Sequence, residues 1–341
     1  MRNLLKAFAL VAGLLALPVF FAAPLAAQTV PVRIGVIPVV GAAPIFVANG
    51  EGWLKEAGLA STFTTFESGP NMIQALASGT IDVYVAGIAP LAVARTKGID
   101  VRVVAATAIE EMVFVAAPKL APYFESAPSK AEAFKQFKAK EGRPARLATQ
   151  PPGSVPNTTL QHWLWQVAKA DKADVEIVSM GIDATQQALL AGAVDGASIR
   201  EPALTIVQGR NPKIKLVATG GEMFPDQPGT VVAVYGKFAD ANPKAVEGLV
   251  SALVKATDLL KKDPARAAGP VEAALGKGIT DVATIQKALS SPAAKFVADP
   301  RTIIEATKKM QAYQVSIGTL DKEAPTDGLF DSKPFDAATK P

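Results

Sequence analysis

Two passages decide the reading of this chain: Gln74-Ala75-Leu76-Ala77-Ser78-Gly79-Thr80-Ile81-Asp82 and Gln187-Ala188-Leu189-Leu190-Ala191-Gly192-Ala193-Val194-Asp195. In each, a helix runs into a glycine that stops it, because glycine takes the left-handed backbone other residues avoid. An aspartate then opens a strand, and a helix started by proline follows, at Pro90 and at Pro202. Upstream, Gly41-Ala42-Ala43-Pro44 matches Gly153-Ser154-Val155-Pro156 at an offset of 112 residues, against 113 for the longer passage. Three aligned features in one order describe two lobes built on one plan.

Outward from these passages the chain alternates short apolar runs with amphipathic ones, which predicts an α/β protein with largely parallel sheets. Residues 32–38, 62–67, 81–86 and 101–107 read as strands, with helices over 44–57, 71–77 and 90–97. Residues 112–117 form another apolar run before a break at Pro118, Pro122 and Pro128. A second block follows: helix 129–140, strand 146–150, helix 156–170, then further alternation to residue 218. After strand 231–235 the pattern is almost wholly helical. The Pro/Asp/Lys-rich segment 324–341 is expected to wrap loosely or fray.

Composition excludes several chemistries. Among 341 residues there is no cysteine and one histidine, His162. Disulfides, thiolate metal sites and a cysteine nucleophile are therefore out, and neither a metal site nor a Ser-His-Asp triad is expected. With 49% apolar and 19% charged residues and a net charge of +4, the chain is neither disordered nor a nucleic-acid partner. Arg2 and Lys6 precede an uncharged run, 7–27, that ends on Leu25-Ala26-Ala27. A basic start, an apolar centre and a small-residue exit describe a secretory signal peptide, 1–27, cleaved after Ala27. Without it the chain carries 33 basic against 31 acidic residues, a net +2. No cysteine follows the run to carry a lipid anchor, so an exported soluble protein is expected.

In an open parallel sheet, ligands bind beyond the carboxyl ends of the strands, where helix N-termini converge. The repeated features lie in those turns, at 41–44, 67–71, 87–90, 153–156 and 200–202. Their free amides and helix dipoles suit an anionic or strongly polar small molecule. Neither a GxxxxGK[ST] loop nor a GxGxxG fingerprint occurs, and no cofactor is implied.

The assembled pattern resembles the periplasmic substrate-binding proteins of ABC importers, in the subfamily that binds nitrate, taurine, aliphatic sulfonates or thiamine-pyrimidine precursors. Its carriers are Val32-Arg33-Ile34-Gly35, Pro44-Ile45-Phe46-Val47-Ala48, Glu51-Gly52-Trp53-Leu54 and Ala57-Gly58-Leu59. Further along come the paired Ala-Leu, Gly and Asp motifs, Gly153-Ser154 and Glu201-Pro202. The resemblance implies a two-lobed, type II-like periplasmic-binding-protein fold, parallel-rich sheets flanked by helices with a ligand cleft between the lobes. Lobe one would span 28–117 and return over 220–323 with the C-terminal helices. Lobe two would span 118–219, with hinges near 112–117 and 219–230 and a tail at 324–341.

It implies a solute-binding component, monomeric and not an enzyme, that closes on a small polar or anionic solute in the periplasm. The solute would pass to an ABC permease and its ATPase. Sulfonates and amino-sulfonates are favoured. The alternative is a thiamine-pyrimidine-precursor binding protein or a related pyrimidine-synthesis enzyme.

The residues expected at the ligand are Gly41, Ala42, Ala43, Ser68, Gly69, Asn71, Gly87, Ile88, Ala89, Ser154, Val155 and Glu201. The Ser154 hydroxyl serves either a ligand anion or its own helix. The Glu201 carboxylate serves either a ligand amine or the free amides beside it. Arg200 is read as facing solvent and Glu110 and Glu111 as hinge surface. Trp53, Trp163 and Trp165 are read as packing, with His162 on an exposed helix face.

Overall fold

The computed structural model describes residues 29–275 and 280–340, so the expected signal peptide lies outside the described residues. The strands are β1 (Val30–Val36), β2 (Leu59–Thr65), β3 (Val83–Gly87), β4 (Val101–Ala106), β5 (Ala108–Ile109), β6 (Val113–Ala116) and β7 (Ala145–Thr149). They continue with β8 (Val175–Ser179), β9 (Gly196–Ile199), β10 (Lys215–Ala218), β11 (Thr230–Tyr235) and β12 (Lys295–Phe296). They make two five-stranded sheets, in the orders β2-β1-β3-β11-β4 and β10-β6-β9-β7-β8, and β5 pairs with β12.

The sheets repeat each other. In the first, β1 runs parallel to β2 and β3, and β11 lies antiparallel between β3 and β4. In the second, β7 runs parallel to β8 and β9, and β6 lies antiparallel between β9 and β10. Each antiparallel strand arrives from the other half of the chain, so two crossovers join the lobes.

This corrects one expectation. The run 112–117 looked like the close of the first lobe, yet β6 is the antiparallel strand of the second sheet, and the first crossover lies before it, at 107–112. An apolar run carries no sign of its direction.

The duplicated passages fold alike. Gly79 and Gly192 both stand at φ 68° just past a helix end. Gly79 N–H donates to Leu76 O and Thr80 N–H to Ala75 O, and Gly192 and Ala193 repeat this with Leu189 and Ala188. The aspartates that follow are latches. Asp82 accepts from Arg33 N–H at 2.9 Å and from Arg33 Nε and Nη2 at 2.9 and 2.6 Å. Asp195 accepts from Arg146 N–H at 2.8 Å and from Arg143 Nη1 and Nη2 at 2.6 and 2.9 Å. Each latch fixes the edge-on approach of the helix–strand turn to the neighbouring strand, and both guanidinium pKa values are raised by that hydrogen bonding.

The core of the first lobe includes Ile34, Ile45, Leu76, Val83 and Leu91. The second is built on aromatic rings, with Phe114 and Trp163 centroids 4.5 Å apart and Phe134 and Phe137 fully buried. Interdigitated rings give a small lobe much buried apolar area per residue. Trp163 therefore packs as expected. The helix behind it is α-helical only over Val155–His162 and continues as a π-helical turn over Trp163–Val167.

The described part of the tail, 324–340, does not fray. Val103 N–H donates to Leu329 O at 2.7 Å, Asp331 N–H donates to Val103 O at 2.9 Å, and Leu329 is fully buried. The tail docks on the edge strand β4, and the helix Lys333–Thr339 packs against the long helix Pro243–Lys262. Prolines and charges hid a segment that caps a sheet edge, a place where an unpaired strand would otherwise stand open.

The crossovers lie side by side. Glu110 N–H donates to Gln227 O, Met112 N–H donates to Gln227 Oε1 at 2.8 Å, and Gln227 Nε2 donates to Gly220 O at 3.2 Å. Gly220 is required there, since a Cβ would come within 2.2 Å of Glu110 O.

Candidate functional site

The carboxyl ends of β1 and β2 face those of β7 and β9 across a cavity of about 130 Å³. Pro38, Val39, Thr65 and Glu67 line it from the first lobe. Gln150, Ser198 to Glu201 and the start of the helix Ile182–Leu190 line it from the second. The lobes touch beside it: Val40 N–H donates to Glu201 O at 2.9 Å.

The charged centre of this cavity is Arg200, immediately after β9. It is 4% exposed, and Nη1 donates to Glu111 Oε1 at 2.8 Å and to Thr230 Oγ1 at 3.4 Å. Thr230 Oγ1 donates to Glu111 Oε1 at 2.7 Å. Glu111 is 2% exposed. The three groups tie the end of β9 in the second lobe to the first crossover and to the start of β11 in the first lobe. A buried pair of this kind tolerates loss of one partner poorly, because the other charge is left in a low dielectric. Arg200 Nε is buried without a partner. An unmet donor of that kind costs about 1–3 kcal/mol.

Arg200 and Glu111 thus depart from the sequence reading, which put one in solvent and the other on the hinge surface. The usable signal was positional. Arg200 stands five residues after Asp195, where the first lobe has Gly87 five residues after Asp82, so a charge occupies the end of a buried strand.

Glu201 also lines the cavity, at 2% exposure. Its Oε2 accepts from Thr205 N–H and its Oε1 from Thr205 Oγ1, both at 3.0 Å. The carboxylate therefore serves the first turn of its own helix, Ala203–Arg210. Burial pushes its pKa up, against the pull of those hydrogen bonds.

Of the other expected residues, Gly69, Gly87, Ser154 and Val155 converge with Arg200 and Gln150 around a narrow gap next to the cavity. At Gly87 a Cβ would meet Val155 Cγ2 at 2.7 Å. Ser154 caps its helix, its Oγ donating to Pro151 O at 2.7 Å and accepting from Asn157 N–H at 3.3 Å. Ser68 caps the helix Gly69–Ala77 in the same way, accepting from Asn71 N–H at 3.4 Å.

Gly41 lies against Glu111, where a Cβ would fall 2.0 Å from Oε2. Ala42, Ala43, Ile88 and Ala89 are buried behind the turns, and Asn71 is exposed on its helix. The cavity therefore brings together Arg200, Gln150 and Glu201, and the small residues of the turns let the lobes approach.

His162 is half-buried rather than exposed. Its Nδ1 is 2.8 Å from Met223 O, and its ring packs on Phe224 and edge-to-face on Tyr313, at centroid distances of 4.6 and 5.0 Å. Burial holds its pKa below the usual histidine value. Among the described residues no group of histidine, cysteine, aspartate and glutamate is placed to hold a metal ion, and no helix is long and apolar enough to cross a membrane.

Comparison with known proteins gives a consistent picture. The profile of the NMT1-like family matches residues 25–274. The nitrate import ATP-binding protein NrtC of Synechococcus elongatus is 26% identical over 238 residues, covering 69% of this chain and 36% of NrtC. The chain thus spans about a third of that relative's length.

Among solved structures, the periplasmic nitrate-binding protein NrtA of Synechocystis superposes with a TM-score of 0.76 at 15% identity, covering 91% of this chain and 88% of NrtA. The alkanesulfonate-binding protein SsuA of Xanthomonas axonopodis pv. citri, bound to MOPS, gives 0.70 at 20%, covering 89% and 99%. The fold is therefore the two-lobed α/β arrangement of periplasmic binding proteins.

Proposed function

The chain belongs to the NMT1-like family, and on that footing we propose that it is the periplasmic solute-binding component of an ABC importer. The observation that carries this reading is the cavity between the facing strand ends of the two lobes, with the buried, part-satisfied guanidinium of Arg200 in its wall. A small solute with an acid group, of the sulfonate and amino-sulfonate class, places an oxygen on Arg200 Nε and fills the remaining hydrogen bonds from Gln150 and Ser198. Apolar walls at Val39, Met112, Ile199 and Ile206 receive its short carbon chain.

Binding is by closure. The crossovers at 107–112 and 219–229 flex as a pair, and contacts such as Val40 N–H to Glu201 O form as the lobes meet. The closed form is the one presented to a permease. No aromatic ring stands among the described residues lining the cavity, so a stacked pyrimidine finds no platform there, and no nucleophile–base pair lines it for an enzyme. The protein acts as a monomer exported by its cleaved N-terminal segment.

Thermal unfolding of the chain from Gln28 onward, measured against sulfonates, nitrate, carboxylates and pyrimidines, tests the proposal. A solute at a hundred times its Kd raises stability by about 2.7 kcal/mol. Unchanged melting with every small polar compound overturns it.

A further inference from the structure

The cavity has a second charged feature besides Arg200. Glu67, just beyond β2 of the first lobe, and Asp183, in the first turn of the second lobe's helix Ile182–Leu190, both line it. Glu67 reaches across the lobes: its Oε2 lies 2.8 Å from the position a Cβ on Gly181 would take. Both residues are exposed at the mouth, and neither forms a salt bridge among the described residues.

The charge of Arg200 is already met by Glu111 at 2.8 Å, so the inner wall offers one hydrogen-bond donor group rather than a net positive field. A bare inorganic anion would gain that one donor and face two uncompensated carboxylates. A solute with an acid group at one end and an ammonium at the other gains at both ends. Glu201, the other carboxylate in the wall, has both oxygens engaged by Thr205.

We propose that Glu67 and Asp183, one from each lobe, are the receptor for a cationic group on the solute, so that the cleft selects a short zwitterion whose acid group lies on Arg200. This rests on the solute-binding reading above. Because the two carboxylates belong to different lobes, an ammonium held between them also links the lobes, and the cationic end of the solute contributes directly to closure. The competing use of these groups is structural, as negative charge at the N-terminus of the helix Ile182–Leu190.

The test is calorimetric titration of the chain from Gln28 onward with matched pairs: 2-aminoethanesulfonate against ethanesulfonate, and 3-aminopropanoate against propanoate, with nitrate alongside. A charge-assisted hydrogen bond sets the scale, and the amino member should bind about ten- to a hundredfold more tightly. In the double variant Glu67→Gln, Asp183→Asn that advantage should vanish, with the amino-free acid binding at least as tightly as before because two like charges have gone.

Equal affinity of the paired compounds in the unmodified protein, or tighter binding of nitrate, overturns the inference and leaves the solute-binding reading intact. Equal weakening of both members in the double variant also overturns it, and assigns the carboxylates to the helix end. Absence of binding by any probe overturns the inference together with the reading beneath it. Both positions are exposed, so the double variant keeps its fold, and its denaturant midpoint confirms that independently.

Discussion

The two lobes are the same machine up to the last residue of the third strand, and there they part. Five residues after the latch aspartate the first lobe ends β3 on Gly87, and the second places Arg200 immediately after β9. Gly87 presents only backbone: Tyr84 Oη donates to its carbonyl at 2.7 Å, and the missing side chain lets Val155 of the other lobe come close. Arg200 projects a guanidinium back across the junction to Glu111 and Thr230. A duplicated scaffold thus keeps its hydrogen-bonded frame in both copies, while one position divides the work into approach and recognition.

The largest effect should come from breaking the distinctive half. Arg200→Met removes the charge and keeps much of the side-chain volume, leaving Glu111 buried without its cation. We expect a loss of about 3–5 kcal/mol in urea unfolding. Adding Glu111→Gln should recover a large part of it, a coupling that a double-mutant cycle reads directly.

Next come the shared latches. Asp195 is more deeply buried than Asp82, at 3% against 7% exposure. Asp195→Ala should cost about 3 kcal/mol and Asp82→Ala about 2, by the same unfolding measurement, because the better-hydrated pair leaves less charge stranded.

Gly87→Ala tests the approach side. Its new methyl meets Val155 rather than its own lobe, so it should weaken ligand affinity by about tenfold through an overpacking cost of about 1–3 kcal/mol on the closed arrangement. The thermal midpoint of the solute-free protein should change little.

The smallest effect concerns His162. The first lobe's corresponding helix, Ala43–Gly50, carries no titratable side chain, whereas His162 ends the helix Val155–His162 with its pKa lowered chiefly by burial. The unfolded chain then binds the proton more readily. Stability should be level above pH 6.5, the ordinary histidine value, and fall as pH drops below it. His162→Gln should flatten that part of the pH profile.

How much of this was legible follows from distance along the chain. The glycine stops and latch aspartates were readable because their chemistry is local: a helix end, a left-handed residue, a strand start. Strand 146–150 and the helix begun by Pro156 were found for the same reason, each close to its observed bounds. The partner of Arg200 lies 89 residues away, and no local pattern announces that an arginine after a strand will face a glutamate in a crossover. Nor does an apolar run such as 112–117 say which sheet it joins or in which direction. The tail was misread because proline and charge report solvent contact on one side of a segment and say nothing about Leu329 on the other.

The splitting of the first sheet bears on the order in which the molecule assembles. The second sheet is drawn from one continuous stretch, β6 to β10. The first needs β11 to complete it between β3 and β4, and β3 pairs with β11 across residues such as Val85 and Val232. Closing so long a loop defers that pairing in time. In a chain that emerges N-terminus first, the second lobe can close while the first still waits for β11. Once β11 inserts, it draws the return crossover alongside the earlier one, so completion of the first lobe and construction of the hinge are a single late event.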